Sequence, residues 1–123
     1  MNIPEPVENM FTIYSKSYCI YCTKMELLLE DYFEQLDDSE IHEYRKINCD
    51  KYFDKEDDKK EFKKKIEIWA GCRPNTFPMV FYDKKFIGGF EEMQEYLKCK
   101  MMKFDEEFWK RSDYESEDYF YKK

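Results

Sequence analysis

The sequence predicts an α/β fold in which a four-stranded mixed sheet lies between layers of helices. Short runs of β-branched and aromatic residues alternate with longer stretches of helical period. The elements follow the order β-α-β-α-β-β-α, and a strand–helix–strand unit gives a parallel, right-handed pair of strands. A charged turn at residues 83–85 separates the last two strands, which predicts an antiparallel hairpin. Together these observations predict a three-layer sandwich.

The first strand–helix–strand unit begins with a strand over residues 10–16. Its core candidates are Phe11, Ile13 and Tyr14. A helix follows from about Ile20 to Leu36, with an apolar stripe at helical spacing. The stripe is formed by Met25, Leu28, Leu29, Tyr32, Phe33 and Leu36. The second strand spans Tyr44–Cys49, where Cys49 is interpreted as a small buried hydrophobic residue.

The second half begins with an expected charged loop over residues 50–58. The helix after it presents an apolar face and ends at Gly71, in the manner of a C′ glycine. That face consists of Phe62, Ile66 and Trp69. Strands Met79–Tyr82 and Phe86–Ile87 form the predicted hairpin. The third helix begins at Phe90 and carries Met93, Leu97 and Met101 on its core face.

Length and composition favour one domain with an aromatic core. The chain has 123 residues, 20% of them aromatic, and its net charge of −7 disfavours nucleic-acid binding. We expect a disordered or loosely docked arm at 1–9, a domain at 10–103 and a short helical, acidic and aromatic extension at 104–123. The end of the extension is predicted to be poorly ordered, with a partner-docking motif as the alternative. No membrane span or signal peptide is predicted, and the free cysteines suit a reducing, cytoplasmic location.

Two cysteines lie where the first strand passes into the first helix. A C-x-x-C sequence at such a junction, here Cys19 and Cys22, indicates redox chemistry. A helix N-terminus offers unpaired N–H groups and the positive end of the helix dipole, which favour a thiolate. Cys22 lies one turn further on the same side of the helix. The spacing therefore allows the two sulfurs to form a small disulfide ring.

Other uses of these cysteines are disfavoured. A structural zinc site needs two more ligands at paired spacing, whereas Cys49, Cys72 and Cys99 are isolated. The single histidine, His42, lies among acidic residues and is interpreted as an exposed loop residue, not a cysteine-protease partner. No metal site is predicted. Cys72 is expected to be an ordinary loop cysteine, with modification as the alternative, and Cys99 to be structural or exposed.

Residues 10–100 resemble the glutaredoxins, which belong to the thioredoxin-like superfamily. The matching motifs, in family order, are Lys16 of K-x-x-C-x-Y-C, Tyr21 between the cysteines, Thr76–Pro78 for T-V-P, and Gly88–Glu92 for G-G-x-[DS]-D. The resemblance implies a thioredoxin-like fold of the dithiol type and a cis proline at Pro78. The composition, with the additional extension, would suit a large DNA virus as the source.

The resemblance also implies an activity. The chain would be a glutathione-dependent thiol–disulfide oxidoreductase that reduces glutathionyl mixed disulfides and protein disulfides. Cys19 would be the nucleophile and Cys22 the resolving thiol. The partners would be glutathione, as reductant, and glutathionylated or disulfide-containing proteins, with the chain acting as a monomer.

Glutathione contacts follow from the same resemblance. Lys16 and Arg73 would contact its glycine carboxylate, and Tyr21 would flank it. The backbone of Phe77, beside Pro78, would pair with the cysteinyl part. The γ-glutamyl end would meet the third helix N-terminus, a natural carboxylate site, at Gly89, Phe90, Glu91 and Glu92.

The chain departs from the family pattern in three places. Ile20 stands where the family usually has proline, and some relatives without that proline bind a [2Fe–2S] cluster with glutathione at a dimer interface. Glu91 and Glu92 replace aspartates, and the loop after Arg73 is longer than usual. A cluster-binding or redox-sensing protein with low turnover is therefore the alternative, followed by an inactive docking module.

Overall fold

The computed structural model describes residues 2–36 and 43–104, the last four as backbone only. The strands are β1 (Phe11–Ser15), β2 (Tyr44–Asn48), β3 (Met79–Tyr82) and β4 (Lys85–Gly88). The helices are α1 (Ile20–Glu34), α2 (Glu56–Ala70) and α3 (Phe90–Phe104), with a short 3₁₀ helix at Asp50–Phe53. This element order confirms the predicted thioredoxin-like α/β fold.

The sheet has the strand order β2-β1-β3-β4. β1 is parallel to β2 and antiparallel to β3, and β3 and β4 form the predicted antiparallel hairpin. Because β1 and β2 are parallel, their C-terminal ends lie at the same edge of the sheet. The segments that carry Cys19 and Cys49 both start at this edge.

Side chains of the central strands alternate between two hydrophobic clusters, one on each face of the sheet. Every residue of β1 is buried because both faces are covered. One cluster joins Phe11, Ile13, Met25, Leu29, Phe33, Val80, Met93 and Leu97. The other joins Ile3, Tyr14, Ile47, Cys49, Tyr52, Phe62, Ile66, Met79 and Phe81. The second is rich in rings, as predicted, and Tyr14 meets Phe81 edge-on at 5.5 Å between centroids.

The N-terminal arm packs against the second cluster, so the prediction of a disordered or loosely docked arm is wrong for the described part. Ile3 is buried, and the Pro4 carbonyl accepts a 2.6 Å hydrogen bond from the Tyr14 hydroxyl. The Tyr52 hydroxyl donates to the Asn2 carbonyl. Two buried tyrosines need acceptors for their hydroxyls, and the arm provides them.

The expected loop at 50–58 is also partly helical. It contains the 3₁₀ helix, and α2 begins at Glu56. Three acidic residues, at 56–58, form the first turn of α2, where negative charge is favourable. Gly71 ends α2 with a positive φ of 76°, as predicted.

Several predictions lie outside the described residues. They are the exposed loop at His42, the core position of Met101, and residues 105–123 of the extension. None of the helices in the described ranges is long and apolar enough to span a bilayer.

Candidate active site

Cys19 is the N-cap residue of α1. Its backbone is extended, and its Sγ accepts a 3.2 Å hydrogen bond from the Cys22 amide. The sulfur thus takes the place that a serine or aspartate oxygen occupies at other helix N-termini. Cys19 is partly exposed, so its sulfur is both accessible and in contact with the positive end of α1.

Cys22 lies one turn further along and is buried. Burial raises the pKa of the Cys22 thiol to about 11, and its hydrogen bond with Cys19 acts in the same direction. Both cysteines are free thiols in this structure. The pair therefore consists of one accessible sulfur and one shielded sulfur that holds its proton at neutral pH.

The loop before β3 brings three predicted site residues together. The Phe77–Pro78 peptide bond is cis. The Phe77 carbonyl oxygen lies 3.8 Å from the Cys19 sulfur, and the Lys16 Nζ lies 5.6 Å from the centre of the Phe77 ring. The Phe77 backbone therefore lies beside the Cys19 sulfur, and the Lys16 ammonium lies over the Phe77 ring.

The N-terminus of α3 forms the opposite side of the site. The Tyr21 ring packs on the Phe90 ring at a centroid distance of 5.6 Å. The Gly89 amide donates a 2.8 Å hydrogen bond to Glu92 Oε1, which caps the N-terminus of α3. Glu91 and Glu92 are both exposed. A ligand carboxylate that takes the Gly89 amide would displace the Glu92 side chain.

Gly88 is confined to glycine by this cap. Its φ is +138°, and a Cβ placed there would lie 2.6 Å from the Cβ of Glu92. The absence of a side chain at Gly88 thus allows the capped turn to fit against α3.

Arg73 is the predicted site residue that the structure does not bring to the site. Its guanidinium pairs with Glu67 Oε2 at 3.0 Å, and its side chain is 86% exposed. The loop from Gly71 to Asn75 directs it along α2, where Glu67 lies within reach. Arg73 does not line the groove beside Cys19 that is described next.

A groove between α2 and the cis-proline loop contains two lysines that sequence reasoning missed. Lys59 and Lys63 join Lys16 around aromatic side chains. The lining also includes Phe53, Phe62, Ile66, Pro74, Asn75, Thr76, Phe77 and Met79. The spacing of Lys59 and Lys63 around Phe62 on one helix face was the available signal. We call this the α2 groove.

Exposed apolar residues surround Cys19 on its outer side. Tyr18 is fully exposed, and Ile20 and Tyr21 are mostly exposed. Tyr18 has a positive φ of 56°, which turns the backbone immediately before the nucleophile. Large exposed apolar side chains of this kind suit contact with another molecule.

The loop that carries Cys19 is tied to the turn after β2. Asp50 Oδ1 accepts a 2.9 Å hydrogen bond from the Ser17 amide, and Asn48 Oδ1 accepts one from the Asp50 amide. Hydrogen bonds from Ser17 lower the pKa of the Asp50 carboxyl, and the charge of Lys16 adds to them. These bonds hold the start of the Cys19 loop in position.

The remaining cysteines differ in exposure. Cys49 is completely buried, as predicted, whereas Cys72 and Cys99 are exposed. The described part of the chain contains no group of three or more His, Cys, Asp or Glu side chains that could hold a metal ion.

Comparison with solved structures finds glutaredoxins. The chain is 27% identical to a buckwheat glutaredoxin in complex with glutathione, with a TM-score of 0.53, covering 75% of this chain and 71% of that one. It is 25% identical to the holo form of a Populus tremula x tremuloides glutaredoxin, with a TM-score of 0.51 and coverage of 72% and 74%. It is 23% identical to reduced Escherichia coli glutaredoxin, with a TM-score of 0.57, covering 75% of this chain and 96% of that one.

No protein-family model matches the chain, and no curated protein matches its sequence. The solved structures and the thiol pair together support a thiol–disulfide oxidoreductase activity. The chain has the glutaredoxin fold, and its Cys19-x-x-Cys22 pair fits a dithiol glutaredoxin.

Proposed function

We propose that this protein is a glutathione-dependent thiol–disulfide oxidoreductase that reduces glutathionyl mixed disulfides and protein disulfides. The observation that carries the proposal is the difference in accessibility between the two thiols. Cys19 is accessible and caps α1, whereas Cys22 is buried directly behind it. The glutathione complex of the buckwheat protein supports glutathione as the co-substrate.

The first step is attack by Cys19. Its thiolate attacks the glutathionyl sulfur of a mixed disulfide, a Cys19–glutathione disulfide forms, and the substrate thiolate leaves and takes up a proton. The thiolate of a second glutathione then attacks the glutathionyl sulfur of this adduct. Oxidised glutathione leaves and Cys19 returns as a thiolate, so this route needs only one cysteine.

Protein disulfides need Cys22 as well. Attack by Cys19 leaves a mixed disulfide between Cys19 and the substrate, and Cys22 then attacks the Cys19 sulfur. The substrate thiol leaves, and Cys19 and Cys22 form a disulfide that two glutathione molecules reduce. Cys22 gives up its proton in this attack, and the leaving substrate sulfur takes it up.

Glutathione would lie across the site from the α2 groove to the N-terminus of α3. Its glycine carboxylate would meet Lys16, with Lys59 and Lys63 in place of Arg73. Its cysteinyl part would pair with the Phe77 backbone. The γ-glutamyl carboxylate would take the Gly89 amide in exchange for Glu92, and Glu91 would accept the ammonium group.

The test is turnover of a glutathionylated peptide, coupled through glutathione reductase to NADPH oxidation. We expect Cys19→Ser to abolish turnover and Cys22→Ser to retain it. With a protein disulfide as substrate, both variants should fail. The Cys72→Ser variant is the matched control, because that thiol is exposed and lies outside the site.

Loss of turnover in Cys72→Ser, or full activity in Cys19→Ser, would contradict the proposal. An inactive wild type would favour the cluster-binding alternative. In that case, visible absorbance of protein purified without oxygen, and its loss in Cys19→Ser, is the next measurement.

A further inference from the structure

The α2 groove carries more positive charge than its surroundings. Three lysines and no acidic residue line it, in a space of about 380 Å³ floored by aromatic rings. The groove between β4 and α3 contains two lysines but three acids, and the groove beside Glu26 contains two lysines and that acid. In a chain with a net charge of −7, the α2 groove is therefore better suited to an acidic ligand than these two other grooves of the described residues.

The chain itself contains a segment of matching chemistry. Residues 113–121 include four acidic and four aromatic residues and no basic one, in a part of the chain outside the described structure. Aromatic rings suit a groove floored by Phe53, Phe62 and Phe77, where Lys59 and Lys16 already lie over rings. Both charge and ring content match the groove.

The segment can reach the groove from the end of α3. Helix α3 starts beside the site, where Phe90 packs on Tyr21, and its 15 residues extend for about 22 Å. Residues 105–112 span up to about 28 Å when extended. Because α3 and α2 pack on opposite faces of the sheet, the segment must also pass around the sheet edge. Residues 105–117 span up to about 45 Å when extended, so the acids at 115–118 can reach the groove.

We propose that the acidic aromatic segment 113–121 docks in the α2 groove and competes with substrate for it. The docking follows from charge and reach alone, and the competition rests on the proposed function, in which the same lysines receive glutathione. A tethered segment has an effective concentration of about 1 mM. If its intrinsic dissociation constant is about 0.5 mM, the apparent KM of the substrate rises about threefold.

Docking is tested by NMR on the full-length chain with Asp113→Asn, Glu115→Gln, Glu117→Gln and Asp118→Asn. The probe is a synthetic peptide of residues 113–121 with the natural sequence. We expect amide shift changes around Lys16, Lys59, Lys63 and Phe77, which weaken at high salt. Lys59→Gln with Lys63→Gln should abolish them. The matched control, Lys60→Gln with Lys64→Gln on the exposed side of the same helix, should not.

Competition is tested by kinetics on the same chain. We expect neutralisation of the segment to lower the KM for a glutathionylated peptide about threefold with kcat unchanged. Neutralising Glu5, Glu8, Asp31 and Glu34 instead gives the same change in net charge and should leave KM unaltered.

An absence of peptide-induced shifts would overturn the docking, as would shifts confined to Tyr82, Tyr96 and Lys100 in the groove between β4 and α3. An unchanged KM, or an equal change in the charge-matched control, would overturn the competition. A chain without turnover would refute the proposed function, while the NMR result would still decide the docking.

Discussion

Cys19 and Cys49 occupy comparable places in the fold but differ in their chemistry. Each follows one of the two parallel strands at the same edge of the sheet, and each is the N-cap residue of a helix. The Cys19 sulfur accepts an amide hydrogen bond and is accessible. The Cys49 sulfur makes no cap bond, is completely buried and lies 3.6 Å from the Ile47 carbonyl.

The difference shows that a helix N-terminus does not by itself make a cysteine reactive. Burial raises the pKa of the Cys49 thiol to about 12, whereas nothing covers the Cys19 sulfur to the same degree. The direction of the side chain determines whether the sulfur is accessible. The Cys19 sulfur contacts both a helix amide and the solvent, whereas the Cys49 sulfur contacts neither.

The largest expected difference is in alkylation rate. At pH 7 a pKa of about 12 leaves about one Cys49 in 10⁵ as thiolate, and burial further limits access. In a chain with Cys72→Ser and Cys99→Ser, iodoacetamide should therefore modify Cys19 at least about 10³ times faster than Cys49. Mass spectrometry of peptides quenched at successive times measures both rates.

Denaturant provides the control for this experiment. In the unfolded chain the thiols should react at rates within about tenfold of one another, because the fold no longer shields Cys49. Comparable modification of Cys19 and Cys49 in the folded chain would show that the two environments do not differ as described.

The second prediction concerns stability at alkaline pH. The pKa of Cys49 is raised from 9.0 to about 12, so the neutral thiol is favoured by folding. Its contribution is fully present below pH 9 and is lost as the pH rises through about 12. The complete loss corresponds to about 4 kcal/mol at 1.36 kcal/mol per pKa unit.

Urea unfolding of wild type and Cys49→Ala between pH 8 and pH 11 measures this effect. At pH 8 the variant should be less stable by about 1–2 kcal/mol, because it leaves a cavity. Titration of Cys49 removes about 1.4 kcal/mol from the wild type by pH 10 and about 2.7 kcal/mol by pH 11, so the gap should close and then reverse. A gap of constant size would mean that Cys49 does not titrate in this way.

The sequence was sufficient to predict the fold, because the period of the hydrophobic residues and the turn residues are local signals. The stripe from Met25 to Phe33 and the alternation in β1 both describe the observed core faces. The thiol pair and cis-Pro78 were found from short motifs. The buried state of Cys49 could be predicted because a lone cysteine in a strand pattern is usually part of the core.

Long-range pairing could not be predicted in the same way. The arm at residues 2–8 is rich in proline and acid, yet it packs because Tyr14 and Tyr52 require acceptors. Arg73 lies four residues before Phe77 in the sequence, but its guanidinium forms an ion pair with Glu67 on α2. Lys59 and Lys63 become site candidates only when α2 is placed beside Phe77.

The third prediction tests what the α2 groove adds to Cys19. Lys59→Gln with Lys63→Gln should raise the KM for glutathione about fivefold, because exposed charge pairs contribute up to about 1 kcal/mol each. Arg73→Gln should change it less than about twofold, since that side chain pairs elsewhere. The measurement uses the chain with neutralised residues 113–121, so that docking of that segment does not contribute.

An Arg73→Gln effect as large as that of the lysine pair would show that Arg73 leaves Glu67 when glutathione binds. The original expectation from the family resemblance would then hold for the ligand-bound state.

The smallest expected effect comes from Asp50, which links the two regions. It follows Cys49 directly and accepts the Ser17 amide hydrogen bond two residues before Cys19. Asp50→Asn keeps an acceptor of the same shape but removes the charge, so we expect kcat/KM to fall only about twofold. Asp50→Ala, which removes the acceptor, should lower it further.

The pH dependence of stability distinguishes the contribution of the Asp50 charge from that of its hydrogen-bond geometry. The pKa of Asp50 is lowered from 3.8, so its contribution is present above that value and is lost as the pH falls through the lowered pKa. Wild type should therefore be more stable than Asp50→Asn at pH 6, and the two should converge in acid. If urea unfolding shows the same gap at pH 6 and pH 2, the carboxylate charge does not hold the Cys19 loop, and the hydrogen-bond geometry alone positions the nucleophile.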